Sequence, residues 1–298
     1  MTRLRMVCGY LVLLMVISQV AAFTGMPRMA RVSLVVYGGG KTAAEAPKTQ
    51  KAIFRELRGK LNEAASKDGF FDTNEKEALE VELFCKAAKD GNQIGDCPFA
   101  QFIQMVMLRK GLAYTVRPTL SDAKPDFVSQ LPTLRYKGEV LTDSLAIAEF
   151  LEKTFPHNTL TRQGAFSYQE VLEKTAGFFP AMSAWIKNKD EGTEAGLQAA
   201  FEAQLDLMDE IVRSTPGQYI CGIETTLADL YLAPQFFHGM AALEHFKDFQ
   251  FYHIDGMPTR PALENYIGRL FDMEEFNNKK AYYSVDQVIS GWKTARGD

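Results

Sequence analysis

The chain reads as an α/β half followed by an all-helical half, and three observations predict that division. Between residues 81 and 156, short alternating runs, glycine-containing turns and helical periodicity succeed one another as strand, helix, strand, hairpin, helix. Beyond Pro156 the alternation fades and long helical patterns such as 195–214 take over. At 298 residues, with 46% hydrophobic and 23% charged residues, the chain has ordinary globular composition and a length for one or two domains.

Each element has a local reason. Glu82-Leu83-Phe84-Cys85-Lys86 alternates as a strand and runs into a loop containing Gly91 and Gly95. Pro98 then suits a first helical position, Phe99, Phe102, Ile103, Val106 and Met107 fall on one helical face, and Gly111 suits the end. Residues 114–117 predict a second strand, and residues 131–136 and 139–141 a hairpin about the Lys137-Gly138 turn. Thr142-Asp143-Ser144 opens an amphipathic helix ending near Phe155-Pro156. In the second half, Thr226 and Asp229 have the spacing of a capping box for an interior helix.

The N-terminus predicts an address in two parts. Residues 1–22 combine a basic start at Arg3 and Arg5, an apolar run too short for a comfortable span, and a small-residue cleavage site at Val20-Ala21-Ala22, as in a signal peptide. Residues 23–49, with Arg28, Arg31, Lys41, Lys48 and one acid, resemble a transit peptide. Ala21-Ala22-Phe23-Thr24 resembles the junction motif of plastid proteins in algae with secondary plastids, so the expected location is the plastid stroma, with the secretory pathway as the alternative. Residues 50–80 read as a charged helical extension with Ile53, Leu57 and Leu61 four apart. Residues 1–50 hold six Lys or Arg against one Glu, so the remainder is acidic. The net charge of −4 offers no basic footprint for nucleic acid.

Chemistry gathers at Cys97. A cysteine at the start of a helix meets unpaired N–H groups and a partial positive charge, which favour thiolate and lower the thiol pKa. Ala100 stands where a dithiol oxidoreductase would carry its second cysteine, so an oxidised Cys97 would need an outside thiol such as glutathione. Spacing alone leaves a buried structural cysteine equally open. Cys8, Cys85, Cys97 and Cys221 show no metal-finger spacing, no metal site is expected, and Cys85 and Cys221 read as structural. His238 and His245, seven apart, are too far separated on a helix to chelate one metal.

The strand–helix–strand–hairpin–helix order, with a cysteine after the first strand and Leu131-Pro132 opening the third, is the layout of a thioredoxin-like domain at 81–156. With the all-helical domain at 157–298, it resembles the glutathione transferase superfamily. Within it, Glu82 to Lys86, Ile94 to Gln101, Ser121 to Pro125, Leu131-Pro132 and Thr142-Asp143-Ser144 resemble dehydroascorbate reductases and the chloride intracellular channel proteins. Leu232 to His238 and Val288 to Trp292 resemble plant dehydroascorbate reductases in particular. The resemblance implies that Cys97 reduces dehydroascorbate and is regenerated by two glutathiones, glutathione being a co-substrate and no cofactor being bound. It implies glutathione binding by Lys86, Asp96, Lys124, Leu131, Asp143 and Ser144, and ascorbate-side binding by Lys86, Asp96, His238 and Trp292.

The implied partners are glutathione and dehydroascorbate, with no nucleic acid, no stable membrane span in the mature chain, and a monomer as the working unit. Two other readings remain. One is a glutathione-dependent thioltransferase of omega type. The other is a membrane-associating protein like the chloride intracellular channels, against which Arg109 and Lys110 interrupt the apolar run after Cys97. Three departures from the family pattern stand out: the shortened loop at Phe127-Val128-Ser129-Gln130, Ala100, and the extension at 50–80.

Overall fold

A computed structural model of the chain describes residues 80–298 apart from 90, 255, 256 and 282. The expected signal peptide, transit-like segment and all but the last residue of the 50–80 extension lie outside the described residues.

The first half contains β1 (Val81–Lys86), α1 (Pro98–Arg109), β2 (Thr115–Thr119), β3 (Thr133–Tyr136), β4 (Glu139–Thr142) and α2 (Ser144–Thr154). The sheet order is β2-β1-β3-β4, with β1 parallel to β2 and antiparallel to β3. This is the thioredoxin-like layout, with the second strand beginning one residue and ending two residues later than its periodicity predicts. No helix lies between β2 and β3. Residues 120–132 form turns there, tied by the Lys124 ammonium donating to the Ser129 carbonyl at 2.7 Å.

Period-two alternation puts Glu82 and Phe84 on the sheet face opposite Leu83 and Cys85. Glu82 accepts from Arg117 Nε at 3.1 Å and Arg135 Nε at 2.7 Å, so one carboxylate links three strands. Burial pushes the Glu82 carboxyl up, but hydrogen bonds and charge from Arg135 and Arg117 outweigh it and hold the group below its ordinary value.

Helix α1 is buried nearly all round, since α6 (Leu227–Lys247) and α2, which also lies against β3 and β4, both pack on it. The expected single apolar face is therefore too narrow a description. Gln101 and Gln104 are buried as well, their amides donating to the Ala281 carbonyl at 3.0 Å and the Tyr283 hydroxyl at 2.9 Å. The helix stops as predicted at Gly111, whose φ of +64° favours glycine. Lys110, a charged interruption in the sequence, is buried: its ammonium meets Glu152 at 2.8 Å and donates to the Phe155 carbonyl at 2.7 Å.

The second half contains α3 (Tyr168–Lys174), α4 (Phe178–Lys187), α5 (Glu191–Ser214), α6, α7 (Pro261–Phe271) and α8 (Val285–Arg296). To the expected helices the structure adds two-residue strands β5 (His253–Ile254) and β6 (Met257–Pro258), paired antiparallel. Their length explains why no alternation marks them. The core runs without a break from the sheet side of α1 into the helices around α6. Asp229 anchors the start of α6. Its buried carboxylate accepts from Thr226 N at 2.7 Å, Thr226 Oγ1 at 2.8 Å, Ile220 N at 3.0 Å and Tyr266 Oη at 2.8 Å.

Asp229→Ala would strand those donors in the core, so we expect a loss of about 3 kcal/mol. The check is a lower urea midpoint at unchanged slope.

Candidate active site

Strand register brings the candidate residues to one end of the sheet. Lys86, the last residue of β1, pairs with Thr119 of β2. Continuing the β1–β3 register two places beyond Phe84 and Thr133 sets Leu131 level with Lys86, and continuing the β3–β4 register one place sets Asp143 level with Pro132. The Leu131-Pro132 peptide, which opens the third strand, is cis. Residue 81, where the chain enters β1, lies at the opposite end.

Cys97 occupies the N-cap of α1 in an extended conformation, with Pro98 in the first turn. Just before it, Asp96 forms an ion pair with Lys86, Nζ to Oδ1 at 2.6 Å; the lysine side chain is 44% exposed and the aspartate 16%. The expected lowering of the thiol pKa is not what the structure gives. Burial is the largest influence and raises the thiol above its ordinary value; N–H groups of Ala100 and Phe99 and the Lys86 ammonium pull it down, while Asp96 adds to the rise. The helix-end effect exists but is smaller than the desolvation of a half-buried sulfur. Cys85 and Cys221 are buried further, and burial pushes their thiols up to about 12 and about 11.

His238 lies on α6 at 1% exposure, its Nε2 lacking a hydrogen-bond partner. Burial and then the nearby Lys86 charge lower its pKa to about 3, so the imidazole is neutral at working pH. Trp292 on α8 is also buried with an unpartnered Nε1, and its ring lies 6.2 Å from that of Phe179. Beside it, Gly291 lies directly against Asp96. The structure thus brings Lys86, Asp96, Cys97, His238 and Trp292 into one neighbourhood. A cleft of about 590 Å³ at the Lys86–Asp96 pair is lined also by Gly95, Ser121, Gln287 and Gly291, while Cys97, His238 and Trp292 are not part of its lining. A larger cleft of about 660 Å³ lies at the far end of α1, by Leu108 and Arg109, and holds none of the candidate residues.

The glutathione-side candidates are less uniform. Asp143, at φ +69°, accepts from Leu145 N and Ala146 N at 3.0 Å each, so its carboxylate caps α2; Ser144 is buried in the first turn. An uncommon backbone conformation in a non-glycine residue is a frequent mark of a functional position. Lys124 is engaged with Ser129 inside its own loop.

Sequence reasoning missed an aromatic wall. Phe99, expected in the core, is only half-buried and stacks edge-on with Phe179 at 5.0 Å and against Tyr231 at 5.9 Å. Phe99 stood out only as one apolar helix position among several, and Phe179 and Tyr231 carried no signal, because their meeting depends on α4 and α6 packing beside α1. Among the described residues no group of His, Cys, Asp and Glu could hold a metal ion, and no helix is long and apolar enough to cross a membrane.

A thioredoxin-like half bearing a cysteine at the first helix, with a helical half supplying the far wall, is the architecture of glutathione transferases. Residues 79–157 match a CLIC-like N-terminal domain. The chain is 26% identical over 84% of the length of "Glutathione S-transferase DHAR3, chloroplastic" of Arabidopsis thaliana, 76% of this chain being covered. It is 32% identical to chloride intracellular channel protein 3 of Mus musculus, covering 57% of this chain and 80% of that one. The crystal structure of Chlamydomonas reinhardtii dehydroascorbate reductase superposes with a TM-score of 0.60 at 27% identity, covering 73% of this chain and 99% of that one. The chain belongs to the glutathione transferase superfamily, in the branch that holds the dehydroascorbate reductases and the chloride intracellular channel proteins.

Since Lys86 lowers the Cys97 thiol and burial raises it, Lys86→Met should move the pH profile of iodoacetamide alkylation at Cys97 further alkaline. The rate at pH 7 should fall roughly three- to tenfold. Mass spectrometry of the Cys97 peptide reads it, and an unmoved profile would show that Lys86 does not act on the sulfur.

Proposed function

We propose that the protein is a glutathione-dependent dehydroascorbate reductase using Cys97 as its single nucleophile. The observation that carries this reading is a set of polar groups: the Lys86–Asp96 pair beside Cys97, the buried His238 Nε2, whose imidazole feels the Lys86 charge, and the buried Trp292 Nε1 on the helix that touches Asp96, both nitrogens without partners. An oxygen-rich small molecule supplies acceptors and donors to such a set, whereas an apolar substrate leaves it unsatisfied.

The cycle has three balanced steps. The Cys97 thiolate gives two electrons to dehydroascorbate; with water as the oxygen source the products are ascorbate and a Cys97 sulfenic acid. One glutathione thiol condenses with it, releasing water and forming a mixed disulfide. A second glutathione attacks that disulfide, releases glutathione disulfide and restores the thiol. Lys86 would stabilise negative charge on the reduced substrate oxygen. Asp143, Ser144 at the start of α2, and the Leu131 backbone would receive glutathione, with Lys124 moving off Ser129 to meet a glutathione carboxylate. Ala100, buried on α1, offers no resolving thiol.

The rest of the proposal follows the same reading. The chain works as a monomer, divided at about residue 156, and reaches a plastid by residues 1–22 and 23–49; the chloroplastic relative supports the organelle.

Cys97→Ser should abolish dehydroascorbate reduction while leaving the circular dichroism spectrum unchanged; retained turnover sinks the proposal. His238→Ala should raise KM for dehydroascorbate about tenfold with little effect on a small mixed disulfide. Equal loss on both substrates would make His238 structural, and a native preference for the disulfide would favour the thioltransferase reading. The imidazole being neutral down to about pH 3, no inflection from His238 should appear in the rate profile between pH 5 and 8.

A further inference from the structure

Helix α8 approaches the loop before Cys97 more closely than a side chain would permit. A Cβ placed on Gly291 would overlap Oδ2 and Cγ of Asp96 and lie 2.7 Å from its Cβ. Gly291 has ordinary helical geometry, so conformational freedom is no reason for glycine there. A glycine inside a helix is less favourable than alanine, and the absence of a side chain is what the position uses.

A second contact lies on the same face of α8. Gln287, four residues earlier, closes the capping box with Ser284, and its Nε2 also donates to the Ile94 carbonyl at 3.1 Å. From the other side, Gly95 N donates to the Lys86 carbonyl at 2.7 Å. The three residues before the nucleophile are therefore held between the end of β1 and one face of α8.

We propose that Gly291 is a positioning residue for Cys97: the gap it leaves in α8 seats Asp96 against Lys86, and that seat sets how much of the lysine charge reaches the sulfur. The inference rests on the reading of Cys97 as the nucleophile. The groups around the thiol are Lys86 and Cys85 from β1, Asp96, the Phe99 and Ala100 amides of α1, Tyr283 ahead of α8, and His238 of α6 through Lys86. Burial keeps Cys85 and Tyr283 protonated and His238 neutral across neutral pH, which leaves Lys86 and Asp96 as the charged pair beside the sulfur. Lys89 and Asp286 line the same cleft and are untouched by the substitutions below. With Asp96 unseated, a carboxylate that opposes the thiolate leaves and the ammonium is freed to favour it.

The test measures iodoacetamide alkylation of Cys97 in the full chain from pH 6 to 10, by mass spectrometry. Gly291→Ala and Asp96→Asn should each shift the profile toward lower pH and raise the rate at pH 7 roughly three- to tenfold. In an Asp96→Gly background, where the gap is empty, Gly291→Ala should add nothing. A shift in Asp96→Asn with none in Gly291→Ala would overturn the proposal, as would an equal effect of Gly291→Ala without Asp96. If Gly291→Ala alone does not fold, the double variant should recover the fold, and failure to do so also overturns it. Turnover surviving in Cys97→Ser would instead reject the catalytic reading, which the alkylation profiles do not depend on.

Discussion

The enclosure of α1 is the constraint on which the site depends. Its side chains are buried on the sheet side and on the side of α2 and α6, and its two glutamines are anchored to the segment before α8. Little freedom is left to the helix, so its first residues, and Cys97 with them, hold one position relative to β1, α6 and α8. The same packing desolvates the sulfur, which is why burial outweighs the helix-end amides in setting the thiol. Fixing the Cys97 thiol in place and lowering its pKa pull in opposite directions here, and the nearby charges act on the difference.

The groups near Cys97 come from separate parts of the chain. Lys86 ends a strand, Asp96 ends a loop, His238 lies in the middle of α6, and α8 adds Trp292 and the gap at Gly291. The sheet end supplies the cis Leu131-Pro132 peptide and the Asp143 cap, while the helical half supplies the buried groups without partners, His238 and Trp292. Under the proposed reaction such a division would let each substrate be recognised by different chemistry at one sulfur.

Much of this was legible in the sequence because the governing signals are local. Alternation at β1, the Gly111 stop, the Lys137-Gly138 turn, the Asp143 cap and the Thr226–Asp229 pair each act within a few residues. Cys97 and the residues beside it were legible for the same reason. The raised thiol, the burial of Lys110 and the aromatic wall of Phe99, Phe179 and Tyr231 were not, since each depends on distant elements closing around a residue. Gly291 belongs to the Val288 to Trp292 stretch, but the contact that uses it depends on Asp96, far away in sequence, packing against it.

The contact between α8 and the loop before Cys97 joins residues 193 positions apart. That last helix also packs on α6 and α4, and its Val288 and Trp292 belong to the same continuous core. The surroundings of Cys97 are therefore complete only once the C-terminal end of the chain has joined the sheet that opens the first half, and a cut or substitution near residue 290 reaches the thiol without touching its own helix.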